Sequence, residues 1–362
     1  MTWLSISDRQ MALQSKSDTN LMLNMISAEQ DTLLATGSLV VDFDFSLGQN
    51  APCKLISYTD DTGWLRRFTI YLNADHSLSL ECSQGNSQCY ARLSNINLQE
   101  VGAVRLTYSW DAPGLFGLLS AEIIEENTIH QAAVKDPIPL PLCDANFIVS
   151  GSDNTVYDER TIALALSDQI VPVGPAPSIS AGAMIATTEG PRAIERLRLG
   201  DLVRTKDNGT QTVRWIIKQD LPAIGGTAPI RLSAPFFGLQ QDIITARNQR
   251  ILISGIETEY NLGQDAVSID AQDLLTHHGV RPVVGAISTT YYQIVLDNHD
   301  CICVSGVWAD SLYVGHLKNT PEILATTGLA SMPGAILPVH QKHGHPVLRH
   351  YERQALLDTL IA

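Results

Sequence analysis

The sequence is poor in charged residues, and basic residues are outnumbered by acidic ones. Only 17% of its 362 residues are charged and 44% are hydrophobic, so sizeable buried cores are expected and wholesale disorder is not. The 24 Lys and Arg against 38 Asp and Glu give a formal net charge of −14 at pH 7. Such an acidic chain is repelled by phosphate backbones, which argues against nucleic acid as a partner.

Long apolar runs and targeting signals are also missing. No stretch reaches the roughly 18 apolar residues that a membrane-spanning helix requires, so no membrane span is predicted. Residues 1–10 contain no basic region followed by an apolar segment, so a classical signal peptide is not expected. The localisation is left open between the cytoplasm and non-classical export.

Cysteine pairs of the metal-binding or redox type are absent. The six cysteines stand at positions 53, 82, 89, 143, 301 and 303 without a Cys-x-x-Cys pair, which excludes a zinc ribbon and a thioredoxin-type motif. Four histidines near the C-terminus, His340, His343, His345 and His350, have no cysteine or carboxylate at a fixed offset. We therefore predict solvated loop histidines there, and no metal or other cofactor.

Alternation of apolar and polar residues dominates the sequence from about residue 36. Val41, Phe43 and Phe45 alternate with aspartates, and similar runs follow at 68–72, 78–82 and 104–110 with turn residues between them. Short alternating runs of this kind are typical of an antiparallel β-sandwich in which each sheet has one solvated face. The predicted fold class is mainly β.

A proline-rich stretch divides the chain. Residues 171–177 contain three prolines and one glycine, so they can form neither a helix nor a central strand and are predicted to be a stiff linker. Further alternating runs and an Asn-Gly hairpin signal follow it. The predicted organisation is an N-terminal segment (1–34), a β-sandwich (35–170), the linker (171–177), a second all-β domain (178–318) and a partly helical C-terminal extension (319–362).

Three blocks after the linker occur in an order that resembles a known family. The first, residues 181–203, ends with Gly-Asp-Leu-Val; the second is 245–253; the third, from 292 to 306, contains Leu-Asp-Asn-His and ends in Gly. Together they resemble the Hint domain, the hedgehog/intein autoprocessing module, in its bacterial form. The resemblance implies a horseshoe-like all-β fold over roughly two fifths of the chain. The preceding region resembles, more loosely, a concanavalin A/laminin-G type sandwich.

The resemblance implies an acyl shift at the start of the second domain. In this family a nucleophile attacks the preceding carbonyl, and a histidine protonates the departing amide nitrogen. Ser178 stands at the nucleophile position. The histidine position falls on Gln249 when the block is aligned on Arg-Ile-Leu-Ile, or on Asn248 when it is aligned on Thr245. Neither amide is a useful acid at neutral pH, and losing general acid–base catalysis costs about 10²–10⁴-fold in rate.

The third block keeps two titratable residues, Asp297 and His299. They could transfer protons, or they could simply form a turn between two strands. Ser178 likewise has a plainer interpretation, as a serine at the end of the linker that satisfies nearby backbone groups. The candidate site residues are Ser178, Thr245, Asn248, Gln249, Asp297 and His299.

Three functions are compatible with these features. The first is a degenerate Hint domain, inactive or weakly active, that serves as a scaffold or interaction module. The second is a working autoprotease that cleaves between Pro177 and Ser178 through an ester, with His299 as the substitute acid. The third is a glycan- or surface-binding protein that acts through the N-terminal sandwich. The partner would be an unidentified protein or glycan.

Overall fold

The computed structural model describes residues 3–9, 32–47, 51–94, 96, 98, 102–124, 126–341, 345–346 and 348. The chain divides into two compact units, Met1–Gly174 and Pro175–Ala362. Both consist chiefly of antiparallel strands, so the predicted mainly β fold class is confirmed. Within the described ranges, no helix has the length and apolar character needed to cross a lipid bilayer.

The described part of the first unit contains two large sheets and one two-stranded sheet. Its strands are β1 (Trp3–Asp8), β2 (Leu33–Leu34), β3 (Thr36–Asp44), β4 (Cys53–Asp60), β5 (Arg66–Leu72), β6 (Leu78–Gln84), β7 (Ser87–Leu93), β8 (Ala103–Asp111), β9 (Phe116–Ile123), β10 (Thr128–Ala133), β11 (Leu140–Pro141), β12 (Thr155–Tyr157) and β13 (Thr161–Ser167), with helix α1 at Leu142–Ser150. One sheet has the order β1-β13-β3-β8-β9-β10 and the other β12-β4-β5-β6-β7, while β2 pairs with β11.

The apolar residues of the alternating runs form one core between the two sheets. Val41 and Trp110 from one sheet belong to the same buried cluster as Phe68 and Leu80 from the other. Removing these side chains from water, at roughly 25 cal/mol per Å² of apolar surface, is the main force that holds the sheets together. The period-two pattern therefore marks the inner face of a sandwich.

The first sheet extends beyond the region predicted as the sandwich. Strand β1 pairs with β13, with Ile6 opposite Ala165, and all its residues are buried. The sequence predicts residues 1–34 as a separate N-terminal segment, whereas β1 belongs to this sheet. Pairing with a strand about 160 residues away is non-local, so no local signal reveals it.

The second unit also contains two sheets. Its strands are β14 (Ile179–Ser180), β15 (Met184–Thr187), β16 (Gly190–Ala193), β17 (Leu202–Arg204), β18 (Thr210–Thr212), β19 (Trp215–Pro222), β20 (Pro229–Leu232), β21 (Ile243–Ala246), β22 (Arg250–Ser254), β23 (Ala266–Asp270), β24 (Val280–Pro282), β25 (Ser288–Val295), β26 (Cys301–Val304) and β27 (Val307–Asp310), with helices α2 (Ile256–Leu262) and α3 (Pro321–Leu324). The six-stranded sheet has the order β19-β25-β14-β21-β20-β24, and the eight-stranded sheet β18-β17-β15-β26-β27-β22-β23 with β16 beside β15.

The described residues after 318 belong to this second unit and pack against its sheets. Leu329 and Leu337 share a buried cluster with Ile217 and Val295. The helix predicted for the C-terminal extension is short in the described part, where α3 spans Pro321–Leu324. The end of the extension, residues 349–362, lies outside the described residues.

The prediction of solvated tail histidines is wrong for His340. Its side chain is buried, with Nε2 3.1 Å from the Leu296 carbonyl oxygen and Nδ1 3.2 Å from the Val314 amide nitrogen that donates to it. Burial lowers the pKa of this imidazole. The loop folds back onto the domain, which local sequence does not reveal. His343 and His350 lie outside the described residues.

We expect the stability of the first unit to depend on pH through Glu122. It lies opposite Arg105, which donates two hydrogen bonds of 2.7 and 2.8 Å to Asp42. Burial raises the pKa of Glu122 to about 7, and the attraction of Arg105 only partly opposes this. Because the folded pKa exceeds the unfolded one, deprotonation destabilises the fold as the pH rises towards neutrality.

We expect Glu122→Gln to become more stable than the wild type as the pH rises. From about pH 4.5 to about pH 8, the difference in unfolding free energy should grow by about 1–2 kcal/mol, a figure reduced for partial solvent exposure. Urea denaturation of both proteins measures it. Glu81→Gln, at an exposed position of β6, is the control and should show no such trend. A constant difference for Glu122→Gln would contradict the prediction.

Candidate functional site

Ser178 lies at the start of the central strand of the six-stranded sheet. Strand β14 pairs with β25 through Ile179 and Tyr292, and with β21 through Ile179 and Thr245. The Ala246 amide donates a 2.7 Å hydrogen bond to the Ser178 carbonyl. Ser178 is thereby fixed between two neighbouring strands, and only 6% of its surface is exposed.

The Ser178 side chain belongs to a buried cluster with two glutamines. Its hydroxyl donates a hydrogen bond to Gln249 Oε1. Gln293 Nε2 donates to the same oxygen at 3.0 Å and lies 3.3 Å from Ser178 Oγ. Gln249 Nε2 donates to the Arg250 carbonyl at 2.7 Å. The Asp310 carbonyl accepts from Gln293 at 3.0 Å and from Gln249 at 3.3 Å. We call Ser178, Gln249 and Gln293 the Ser-Gln-Gln cluster.

The chemistry of this cluster follows from its donors and acceptors. An ionised or base-activated hydroxyl is the reactive form of a serine nucleophile. Here the hydroxyl of Ser178 donates to an amide oxygen, which accepts a hydrogen bond but has no useful basicity. The cluster thus holds the serine in place, and its two amides have no titratable proton to exchange with it.

Two other predicted residues lie outside this cluster. Thr245 pairs with Ile179, so its side chain emerges from the face of the sheet opposite to that of Ser178. Asn248 donates its backbone amide to the Gly226 carbonyl at 3.0 Å. The side-chain oxygens of both residues are buried without a hydrogen-bond partner. Of the two alternative histidine positions, Gln249 is the one that contacts Ser178.

The structure gives Asp297 and His299 different surroundings. Asp297 forms an exposed two-pronged ion pair with Arg214, with both distances 2.8 Å. His299 is buried, and its Nε2 lies 3.2 Å from the Ser311 carbonyl oxygen and 3.9 Å from Asp310 Oδ2. Asp310 therefore contacts the glutamines through its backbone carbonyl and approaches His299 through its carboxylate.

Asp310 and Gln293 were not found from the sequence. The Asp310 carboxylate accepts hydrogen bonds from Cys301 Sγ at 3.0 Å and Ser268 Oγ at 3.3 Å, and burial raises its pKa. A signal did exist: Gln293 directly precedes the apolar residues Ile294 and Val295 in β25, and Asp310 ends the otherwise apolar strand β27. A polar residue next to apolar strand residues indicates a buried hydrogen-bonding role but does not identify its partners.

The described residues contain no group of three or more His, Cys, Asp or Glu side chains placed to hold a metal ion. The candidate site is accordingly built from neutral side chains around Ser178, with one buried carboxylate and one buried imidazole beside it.

Comparison with known protein families identifies the domain that contains the candidate site. Residues 177–316 match the family model of the Hint domain. This part of the chain is a Hint domain. The resemblance carried by the three sequence blocks is therefore confirmed, and Ser178 is the second residue of the matched segment. No curated protein matches the sequence.

Several solved structures are similar to parts of the chain. The bacterial intein-like domain from Clostridium thermocellum shares 16% identity, with 38% of this chain and 99% of that chain covered and a TM-score of 0.27. A GSH-linked, splice-inactive variant of the AceL NrdHF class 3 split intein shares 14%, with 38% and 99% covered and a TM-score of 0.27. The LG1-3 region of the laminin alpha2 chain shares 8%, with 79% and 54% covered and a TM-score of 0.25.

Gln293 should contribute to the stability of the Hint domain. Gln293→Met keeps the length of the side chain but removes the donor that serves Gln249 Oε1 and the Asp310 carbonyl. Leaving buried acceptors with fewer partners costs about 1–3 kcal/mol. Urea denaturation should show this loss, whereas Gln264→Met, at an exposed position, should stay within about 0.5 kcal/mol of the wild type. Equal effects of the two substitutions would contradict this role.

Proposed function

We propose that this Hint domain does not cleave its own chain and serves as a scaffold or interaction module. The observation that supports the proposal is the hydrogen bond from Ser178 to Gln249, which is, with Asn248, one of the two residues at which the resemblance places the family's histidine. A glutamine holds the serine hydroxyl in place but supplies neither a base for the nucleophile nor an acid for the leaving nitrogen.

Two differences from the family pattern would each slow cleavage at this site. Serine is a weaker nucleophile than cysteine, because a hydroxyl needs a base whereas a thiol is partly ionised near neutral pH. The missing acid–base residue removes another factor of about 10²–10⁴. His299 Nε2 lies 3.2 Å from the Ser311 carbonyl oxygen and 3.9 Å from Asp310 Oδ2, and under the proposal it does not replace this residue. Cleavage between Pro177 and Ser178 by an N-to-O acyl shift is the competing hypothesis.

Mass spectrometry of the purified chain tests the proposal. The wild type should remain a single species near 39.4 kDa, even after incubation with hydroxylamine, which would trap an ester. The double substitution Ser178→Cys with Gln249→His should give thiol-dependent cleavage before residue 178, because it restores a nucleophile and a general acid together.

The single substitutions are the matched controls. Each restores one group only, so cleavage in Ser178→Cys or Gln249→His should be slower than in the double variant by about 10²-fold or more. Cleavage of the wild type into fragments ending at 177 and beginning at 178, abolished in Ser178→Ala, would reject the proposal and establish the autoprotease.

A specific observation supports a second function, glycan binding by the N-terminal sandwich. Trp64, in the loop between β4 and β5, is 54% exposed. Arg66 lies against its ring, 5.2 Å from the centroid, and donates to Asp60 and Asp144 at 2.5 and 2.7 Å. Arg66 also donates to the Thr62 carbonyl at 3.1 Å. These contacts fix an exposed aromatic ring of the kind on which sugar rings stack.

If the N-terminal sandwich binds a glycan through Trp64, the Trp64→Ala variant should bind that glycan more weakly. A glycan array probed with the full chain is the measurement, and the affinity for any bound glycan should fall roughly tenfold, or about 1.4 kcal/mol. Tyr90→Ala is the matched control, because Tyr90 is an aromatic residue with 49% exposure elsewhere on the same unit. Absence of binding by the wild type, or equal losses in the two variants, would remove this candidate.

A further inference from the structure

Two cysteines of the first unit lie opposite each other in the sheet β12-β4-β5-β6-β7. Cys82 on β6 and Cys89 on β7 form a directly opposed pair of this antiparallel ladder. Both side chains belong to the sandwich core, with 3% and 4% of their surface exposed, and both are free thiols. Directly opposed residues of antiparallel strands have Cα atoms about 4.5–5.5 Å apart, within the roughly 4.4–6.8 Å that a disulfide bond spans.

The surroundings of Cys89 favour its thiolate. The Cys82 thiol donates a hydrogen bond to Cys89 Sγ, and the Ile138 amide donates another. The Tyr108 hydroxyl lies 3.8 Å from the same sulfur. Hydrogen bonds to the charged form lower the pKa of Cys89, chiefly the one from Cys82, although burial opposes them. The pKa of Cys82 is raised, because it donates this hydrogen bond and is buried. The pair therefore combines a thiolate with a thiol.

The more exposed cysteines of the first unit have different surroundings. Burial raises the pKa of Cys53, and the hydrogen bond and charge of Arg160 only partly oppose this effect. Burial also raises the pKa of Cys143, and the Asp144 carboxylate adds to it. Both thiols therefore stay protonated near neutral pH. Since the thiolate is the form that reacts with oxidants, the more exposed cysteines of this unit are the less reactive ones.

The position of β7 gives a small oxidant a route to Cys89. Within the part of the chain that the structure describes, β7 is the last strand in the order of its sheet, and exposed and buried residues alternate along it. Local opening of a sheet costs least where a strand has a neighbour on one side only. A brief opening of this edge favours an oxidant as small as hydrogen peroxide over a larger reagent.

We propose that Cys82 and Cys89 form a peroxide-sensitive pair that is converted reversibly into a disulfide. The Cys89 thiolate attacks one oxygen of hydrogen peroxide: an S–O bond forms, the O–O bond breaks, and the departing hydroxide takes up the proton that Cys89 released. Cys82 Sγ then attacks the sulfur of this sulfenic acid. An S–S bond forms, the S–O bond breaks, and the hydroxyl group leaves with the Cys82 proton as water. Two thiols are oxidised while one peroxide is reduced to two waters.

Peptide mapping of the full chain tests this pair. Trypsin cleaves after Arg67 and Arg92, so one peptide, residues 68–92, contains both cysteines. Hydrogen peroxide is increased near neutral pH until the first thiol is lost, and the chain is then denatured and alkylated with N-ethylmaleimide. The peptide should carry no alkyl group and weigh about 2 Da less than its reduced form, as a disulfide requires. Cys53 and Cys143 should still be alkylated, and dithiothreitol should restore both alkylation sites in the peptide.

Single substitutions distinguish the roles of the two sulfurs. In Cys82→Ser, Cys89 should accumulate as a sulfenic acid that dimedone labels, because no thiol is left to form the disulfide. In Cys89→Ser, Cys82 should remain fully alkylated. Cys143→Ser is the matched control, because Cys143 is a half-buried cysteine of the same unit, and this variant should form the disulfide as the wild type does.

Three results would overturn the proposal. The first is loss of Cys53 or Cys143 before the peptide 68–92 loses its two alkyl groups. The second is dimedone labelling of Cys82 in Cys89→Ser together with an unlabelled Cys89 in Cys82→Ser. The third is a disulfide that forms only after the chain is unfolded in urea. The wild-type peptide map decides the question alone if a variant does not fold.

Discussion

The hydrogen bond from the Ser178 hydroxyl to Gln249 Oε1 is the interaction on which the candidate site depends. It connects the residue before β14 to the residue before β22, and Gln293 on β25 supports both side chains. Three separate segments are thereby fixed by neutral groups whose hydrogen-bonding atoms are engaged. A buried polar network of this kind is rigid and specifies one arrangement. Amides accept and donate hydrogen bonds but do not exchange protons at neutral pH, which supports the proposal that this domain does not cleave its own chain.

Asp310 links this cluster to the rest of the domain. Its backbone carbonyl receives the glutamines, while its carboxylate receives Cys301 and Ser268 and lies near His299. Burial favours the protonated carboxyl, which explains why its pKa is raised. His299 therefore has a place in the packing of the domain whether or not the chain is ever cleaved. A titratable residue at a family position is not by itself evidence of proton transfer.

Local sequence patterns predicted much of this architecture. The features that they did not predict depend on contacts between residues far apart in the chain. Period-two alternation indicated the sandwich strands, and three blocks in order identified the Hint domain. The sequence leaves the choice between Asn248 and Gln249 open because the second block can be aligned either on Thr245 or on Arg-Ile-Leu-Ile. The hydrogen bond from the Ser178 hydroxyl to Gln249 Oε1 shows which of the two residues contacts the serine. The edge strand β1 and the buried His340 depend on distant segments, so no local signal indicated them.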